Sequence, residues 1–218
     1  LRDRGAQITI ATHVAHSNVD PLKVFVPEGM TLLPNLRENP GEEANSDEFA
    51  KNLAEGHDFY VNEAFPESHR AYASIIGVPK FLPSYAGLRF IEEVNALSKA
   101  FNPPSPALLI LGGAKFETKL PLVNKFKNIV DKIFIGGANA KPAYETKLRS
   151  NPKIIFPKGD ITALDADDEN LALIKSEIDK AAFILWNGPL GNYENGYKKG
   201  TLDLAKMLAG SGKEIIVG

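Results

Sequence analysis

Ala107-Leu108-Leu109-Ile110-Leu111-Gly112-Gly113-Ala114-Lys115 runs from an unbroken apolar block into a glycine pair and then into a helix-like segment. A short apolar run closed by glycine fits a strand buried on both faces, as strands of parallel sheets are. Parallel strands need crossover connections, usually helices. The rest of the chain repeats this grammar. Gln7–Ala11, Asp58–Val61, Lys132–Ile135, Lys153–Phe156, Ala182–Trp186 and Glu214–Val217 are short and rich in β-branched or aromatic residues. Between them lie helical stripes, Ile91, Val94 and Leu97 in one and Leu120, Val123 and Phe126 in another. Asn45 with Glu48 reads as a capping pair for a helix through Leu53. Strand and helix patterns alternating in this way predict an α/β fold with parallel sheets.

Asn102-Pro103-Pro104-Ser105-Pro106 is the clearest break, because prolines this dense cannot continue a helix. It predicts a domain over 1–86, a connecting helix and linker over 87–102, and a second domain over 103–218. Both ends look cut. The first residues read as the tail of a helix closed by Gly5 in the left-handed conformation, and the last strand stops at Gly218.

The 218 residues are 44% hydrophobic and 24% charged, which is globular composition with material for a core. A net charge of -2 excludes bulk attraction to nucleic acid, so an anion site must be local. There is no cysteine, which excludes disulfides and thiolate metal sites and fits a reducing, cytoplasmic setting. No apolar run reaches the ~18 residues of a membrane span, so no membrane partner is expected.

Four stretches carry chemistry. Gly112-Gly113-Ala114-Lys115 lets backbone approach a ligand while the following helix start aims free N–H groups at an anion. Lys119 lies one turn beyond Lys115 on the same face. The spacing is not that of a Walker A loop, and taken alone a tight turn with solvated lysines is the readier account of it. Trp186-Asn187-Gly188-Pro189-Leu190-Gly191-Asn192-Tyr193-Glu194 also follows a strand. Asn187 offers donors and Glu194 an acceptor for ribose hydroxyls, and a structural turn beside a core tryptophan is the other reading. Asn62-Glu63-Ala64-Phe65 with Ser68-His69-Arg70-Ala71, and Asn35-Leu36-Arg37 with Asn39-Pro40-Gly41-Glu42-Glu43, place Arg37 and Arg70 just past strands. A guanidinium fork suits carboxylates and phosphates, though a lone loop arginine is usually a surface residue. His13 and His16 form an HxxH pair with no third ligand in sequence reach, so no metal site is expected of them.

In this order the segments resemble the phosphoglycerate kinase family. Leu36-Arg37 with Asn39–Glu43, His69-Arg70-Ala71, Lys80-Phe81-Leu82-Pro83, Leu111–Lys115, Ile135-Gly136-Gly137, Trp186–Pro189 and Lys199-Gly200-Thr201 look like its signatures, spread over nearly the whole chain. The resemblance implies two Rossmann-like parallel-sheet domains joined by a helix, closing on a hinge. It implies glycolytic phosphoryl transfer between 1,3-bisphosphoglycerate and ADP, giving 3-phosphoglycerate and ATP, by a monomer with Mg2+ accompanying the nucleotide. By the same resemblance, His13, Arg37, His69 and Arg70 form the substrate patch, and Lys115 contacts the migrating phosphoryl group. Gly112, Gly113, Lys119, Asn187 and Gly188 then serve the nucleotide phosphates, Glu194 the ribose, and Gly136 and Gly137 the adenine.

The departures are specific. The family's Ser-His-Leu-Gly-Arg-Pro reads Thr12-His13-Val14-Ala15-His16-Ser17, so a substrate arginine is His16. Thr118 stands where the family has Asp. The opening Asp-x-Asn strand and the Gly-Gly-Asp loop with the magnesium aspartate are not among these residues, and the segments after His16 and Gly137 are short. A truncated record of an active kinase and a compact homologue both fit, as does a non-catalytic relative binding nucleotide or small anions. An unrelated Rossmann-like oxidoreductase would need a GxGxxG fingerprint in a first βα turn, which is lacking.

Overall fold

A computed structural model describes residues 2–14 and 19–218, so His16 lies outside the described residues. The chain forms two compact units, Leu1–Val94 and Asn95–Gly218. Every strand pair in both is parallel.

In the first unit β1 (Thr9–Ile10) pairs with β2 (Thr31–Leu32), and β3 (Tyr60–Asn62) with β4 (Ser84–Ala86). The strand read over 7–11 shrinks to two residues, and β2 and β4 carry no apolar run to announce them. Between the pairs lie α1 (Pro40–Glu43) and α2 (Asp47–Ala54). The capping expectation at Asn45 is corrected by one residue. Ser46 caps α2, its hydroxyl accepting from the Phe49 N–H at 3.3 Å. Asn45 instead takes φ 50, the left-handed turn between the helices that asparagine tolerates. Ala50 and Ala54 of α2 pack on Ala73 and Val78. The Glu42 carboxylate, fully buried, accepts from the Ser74 N–H at 3.0 Å and from its hydroxyl.

Helix α3 (Leu88–Ser98) continues into a 3-10 turn at Lys99–Phe101 and covers the segment read as a connector. The units divide within it, after Val94. None of its residues is buried, and Leu88 is 78% exposed.

The second unit is built on β5 (Ala107–Leu111), α4 (Phe116–Phe126), β6 (Lys132–Ile135), α5 (Ala140–Tyr144) and β7 (Ile154–Ile155). It continues with α6 (Asp168–Lys180), β8 (Phe183–Asn187), α7 (Lys199–Ala209) and β9 (Glu214–Val217). The sheet runs β7-β6-β5-β8-β9. Successive side chains of a strand point to opposite faces, so β5 feeds two cores. Leu109 and Leu111 join Val123 and Phe126 of α4, while Leu108 and Ile110 join Ile174 and Ile178 of α6 and Leu204 and Leu208 of α7. Each large side chain buried there stabilises the unit by about 1.5–3 kcal/mol. Among the described residues no helix is long and apolar enough to cross a membrane.

Asp131 anchors the start of the central strand. Its carboxylate accepts from the Ala107 N–H at 2.7 Å and the Ser105 hydroxyl at 3.0 Å. The Ala107 bond above all, with Ser105 and Lys153 adding to it, holds its pKa below the ordinary aspartate value. A depressed folded-state pKa adds stability that is present above the unfolded value near ~3.9 and disappears as pH falls through the folded one. Asp131→Asn is therefore expected to lower the melting temperature at pH 7 and to flatten its fall below about pH 4. Melting curves of the two proteins between pH 2 and 7 check this, and parallel curves would count against it.

Candidate functional site

Strands β6 and β7 lie on one side of β5, and β8 and β9 on the other. The chain thus winds in opposite directions from β5 and β8, and a crevice opens beyond their carboxyl ends, where ligands bind in open α/β sheets. Both glycine loops singled out in the sequence meet at this point. The Gly112 N–H donates to the Asn187 carbonyl at 2.8 Å and the Gly113 N–H to the Pro189 carbonyl at 2.7 Å. Gly188, at φ +85, brings its backbone so close that a Cβ there would stand 2.7 Å from the Gly112 carbonyl oxygen. The Gly136 N–H donates to the Leu111 carbonyl at 2.8 Å, and Gly137 turns the chain past Pro189.

Lys115 enters α4 at φ 62, ψ 60, a left-handed conformation with no capping side chain. Few non-glycine residues hold that region, and such strain clusters at functional sites. Its side chain is exposed and makes no hydrogen bond or ion pair among the described residues. The first N–H groups of α4 have no partner within the helix, and its dipole favours an anion there. The Thr118 hydroxyl donates to the Lys115 carbonyl at 2.8 Å, so it braces the turn. Lys119 reaches across to donate to the Asn187 side-chain oxygen, linking the two loops. Lys115, Lys119, Asn187 and the paired glycines are therefore one constellation. Glu194 sits apart, exposed in the 3-10 turn Tyr193–Asn195, and no bond ties it to the others.

Beside Gly136 and Gly137 is a hollow lined by Phe134, Ile161, Ala163 and Leu190, with Asp165 and Asn170 at its polar side. Three residues that brace these loops were not singled out from the sequence. Buried Asn139 donates to the Gly112 carbonyl at 2.7 Å. Asp165 accepts from the Gly200 N–H at 3.1 Å, and the Thr201 hydroxyl oxygen accepts from the Leu190 N–H at 3.0 Å. Lys199-Gly200-Thr201 was visible as a motif, but the partners it grips are remote in sequence.

The first unit holds the arginine cluster. Asn35 ties two loops together, accepting from the Val14 N–H at 3.0 Å and from the Arg37 N–H at 3.3 Å. That sets the Arg37 guanidinium 3.2 Å from His13 Nε2. The Arg37 Nε is buried and has no hydrogen-bond partner among the described residues. Arg70 Nε lies 2.7 Å from a Glu67 oxygen, and the other Glu67 oxygen is 3.7 Å from His13 Nε2. Arg70 also donates to the Tyr72 hydroxyl at 2.8 Å, and that bond first, then Glu67, pushes its pKa still higher. His13 and Arg70 thus share one carboxylate that the sequence reading passed over, with Arg37 beside His13. His69 is exposed and outside this web. A wider apolar hollow along Leu33, Leu36, Phe49 and Leu53 offers no cation. Among the described residues no group of three or more acidic or histidine side chains is placed to hold a metal.

Comparison with known proteins agrees with this architecture. A sequence model described as phosphoglycerate kinase matches residues 2–149 and 139–218. The chain is 32% identical to a phosphoglycerate kinase of Finegoldia magna over 94% of its own length and 64% of the relative's. It is 34% identical to that of Bartonella quintana over 83% of its length and 58% of the relative's. It therefore spans about three fifths of the length of these relatives. Among solved structures, phosphoglycerate kinase from Coxiella burnetii superposes with a TM-score of 0.79 at 25% identity, over 98% of this chain and 75% of that one. The Pyrococcus horikoshii enzyme shares the fold, with a TM-score of 0.74 at 21% identity, over 97% and 68%. With the family model matched across both units and the glycine loops meeting at the crevice of the second, the chain belongs to the phosphoglycerate kinase family.

Proposed function

We propose that this chain carries the two half-sites of a phosphoglycerate kinase, which moves a phosphoryl group reversibly between 1,3-bisphosphoglycerate and ADP. The observation that carries the reading is Lys115, an unpartnered cation held in a left-handed turn at the mouth of α4. Gly112, Gly113, Lys119, Asn187 and Gly188 would take the nucleotide phosphates, and the hollow beside Gly136 and Gly137 the base. Glu194 would serve the ribose. Arg37, Arg70, His13 and His69 would hold the three-carbon acid. The domain assignment follows, with 1–86 for the acid, 87–102 connecting, and 103–218 for the nucleotide.

The chemistry asks little of covalent help. One P–O bond to the carboxyl oxygen breaks as one to the ADP β-phosphate oxygen forms. The leaving carboxylate is a weak base, so no general acid is needed. What the protein supplies is alignment and positive charge on the equatorial phosphoryl oxygens. Lys115 would provide that charge on the nucleotide side, and Arg37 and Arg70 on the acid side. Magnesium would travel with the nucleotide phosphates. Among the described residues no group of three or more acidic or histidine side chains is placed to hold it. The same reading takes the protein as a cytoplasmic monomer acting on small molecules, without nucleic-acid or membrane partners.

A coupled assay on the full-length protein, with 3-phosphoglycerate and MgATP, tests this. Turnover on the order of 1–10³ s⁻¹ is expected. Protein that binds MgADP yet shows no acid-dependent turnover would refute the kinase reading and leave a nucleotide-binding relative.

A further inference from the structure

The strongest unexplained feature is Glu67, a carboxylate set among the cations of the acid-binding cluster. Only 23% of its side chain is exposed, against 42% for Arg70. One oxygen stands 2.7 Å from Arg70 Nε, and the other lies 3.7 Å from His13 Nε2. A guanidinium grips a carboxylate or phosphate with two donors, either Nε with one terminal nitrogen or the two terminal nitrogens together. In Arg70 the first edge is crowded by Glu67, a close ion pair without hydrogen-bond geometry, and the second is half-used by Tyr72, whose hydroxyl accepts at 2.8 Å. Neither two-donor edge meets a ligand without a neighbour already beside it. Arg37 is the opposite case, with a hydrogen-bond contact to His13 but no ion pair to a carboxylate among the described residues. The cluster therefore offers one ready cation and one already neutralised.

We infer that Glu67 is a specificity-determining residue: a tethered carboxylate seated where a ligand's anionic group must bind, which an incoming acid has to displace from Arg70. This rests on the proposed acid-binding role of the cluster. A ligand with one anionic group can use Arg37 but gains little by evicting Glu67, because it exchanges one carboxylate–guanidinium pair for another. A three-carbon phospho-acid carries a carboxylate and a phosphate on one frame. Once one group is held, the other reaches Arg70 at a high effective concentration. Glu67 thus selects for doubly anionic substrates and keeps inorganic phosphate and small monoacids from saturating the site. An ordinary surface pair three residues apart would be exposed and worth little. Here the Glu67 half is largely covered and lies beside a histidine from a different loop.

Calorimetric titration of the full-length protein with inorganic phosphate and, separately, with 3-phosphoglycerate tests the inference. Glu67→Gln keeps the shape and removes the charge. It is expected to tighten phosphate binding roughly tenfold or more and 3-phosphoglycerate binding less, so that discrimination between them narrows. In the coupled assay it should lower KM for the acid more than it changes kcat. Glu55→Gln, an exposed carboxylate at the end of α2, should change neither affinity. Unchanged or weaker phosphate binding in Glu67→Gln, with normal 3-phosphoglycerate binding in the parent, would overturn the inference and leave the kinase reading standing. If neither protein binds 3-phosphoglycerate, the acid-binding role fails and the inference fails with it.

Discussion

Lys115→Ala is expected to cut turnover by about 10²–10³-fold, while Lys115→Gly loses as much activity yet melts at a higher temperature. The two halves of this result come from separate features of one residue. The first is charge. A phosphoryl group in flight spreads negative charge over its equatorial oxygens, and removing one preorganised donor in such sites costs about 10²–10³ in rate. Lys115 has no partner among the described residues, so its ammonium is not tied up in the fold. The second is backbone. At φ 62, ψ 60 a side chain with a Cβ carries roughly 1–2 kcal/mol of strain, which glycine does not feel. Part of that gain is offset by glycine's freedom in the unfolded chain. Relief of about 1 kcal/mol would raise the melting temperature by about 2–4 °C in a chain of this size. Calorimetry and the coupled assay read the two effects independently. Near-parental turnover in Lys115→Gly would remove Lys115 from the chemistry, whatever its stability.

The same residue shows how far sequence can be read. Gly112-Gly113-Ala114-Lys115 was legible as a phosphate-type loop because strand, glycine pair and helix start are adjacent in sequence. The second unit was legible for a related reason. Strands β5, β6 and β8 are buried on both faces, so their apolar runs are nearly unbroken. In the first unit β2 and β4 are two and three residues long, and every residue of β4 is exposed. No period announces such strands. Asn45 was a reasonable cap by type, but Ser46 lies one residue closer to the helix, and asparagine suits the left-handed turn. What stayed hidden in the sites is pairing at long range. Nothing in sequence says that Asn139 holds Gly112, that Thr201 holds Leu190, or that Glu67 sits between His13 and Arg70. Likewise, motif order placed His69 and Glu194 in the sites, while no bond in the structure joins either to its cluster.

Gly112→Ala is expected to be the most destabilising single methyl that can be added to the proposed nucleotide site. A Cβ at Gly112 would stand 2.2 Å from the Pro189 carbonyl oxygen and 2.6 Å from that of Gly188. Both obstacles are backbone, so no rotamer change relieves them. The β8 loop must shift by about 1 Å. That breaks the bonds from the Gly112 N–H to Asn187 and from the Gly113 N–H to Pro189, at 2.8 and 2.7 Å. Each such group left unpaired costs about 1–3 kcal/mol. With the overpacking strain, the total comes to roughly 3–9 kcal/mol. That is a large share of the 5–15 kcal/mol typical of a folded protein, and a drop in melting temperature of roughly 10 °C or more follows. Asn187 would move with the loop and lose Lys119, so MgADP affinity should fall even where the variant remains folded. Gly113→Ala is the control. It too has a positive φ, of +81, but its Cβ would come no nearer than 3.7 Å to Pro189. Its cost is backbone strain alone, about 1–2 kcal/mol. The order of the two melting temperatures decides the matter. A Gly112→Ala protein as stable as Gly113→Ala would mean that the β5 and β8 loops are not locked together, and the crevice would lose its preorganisation.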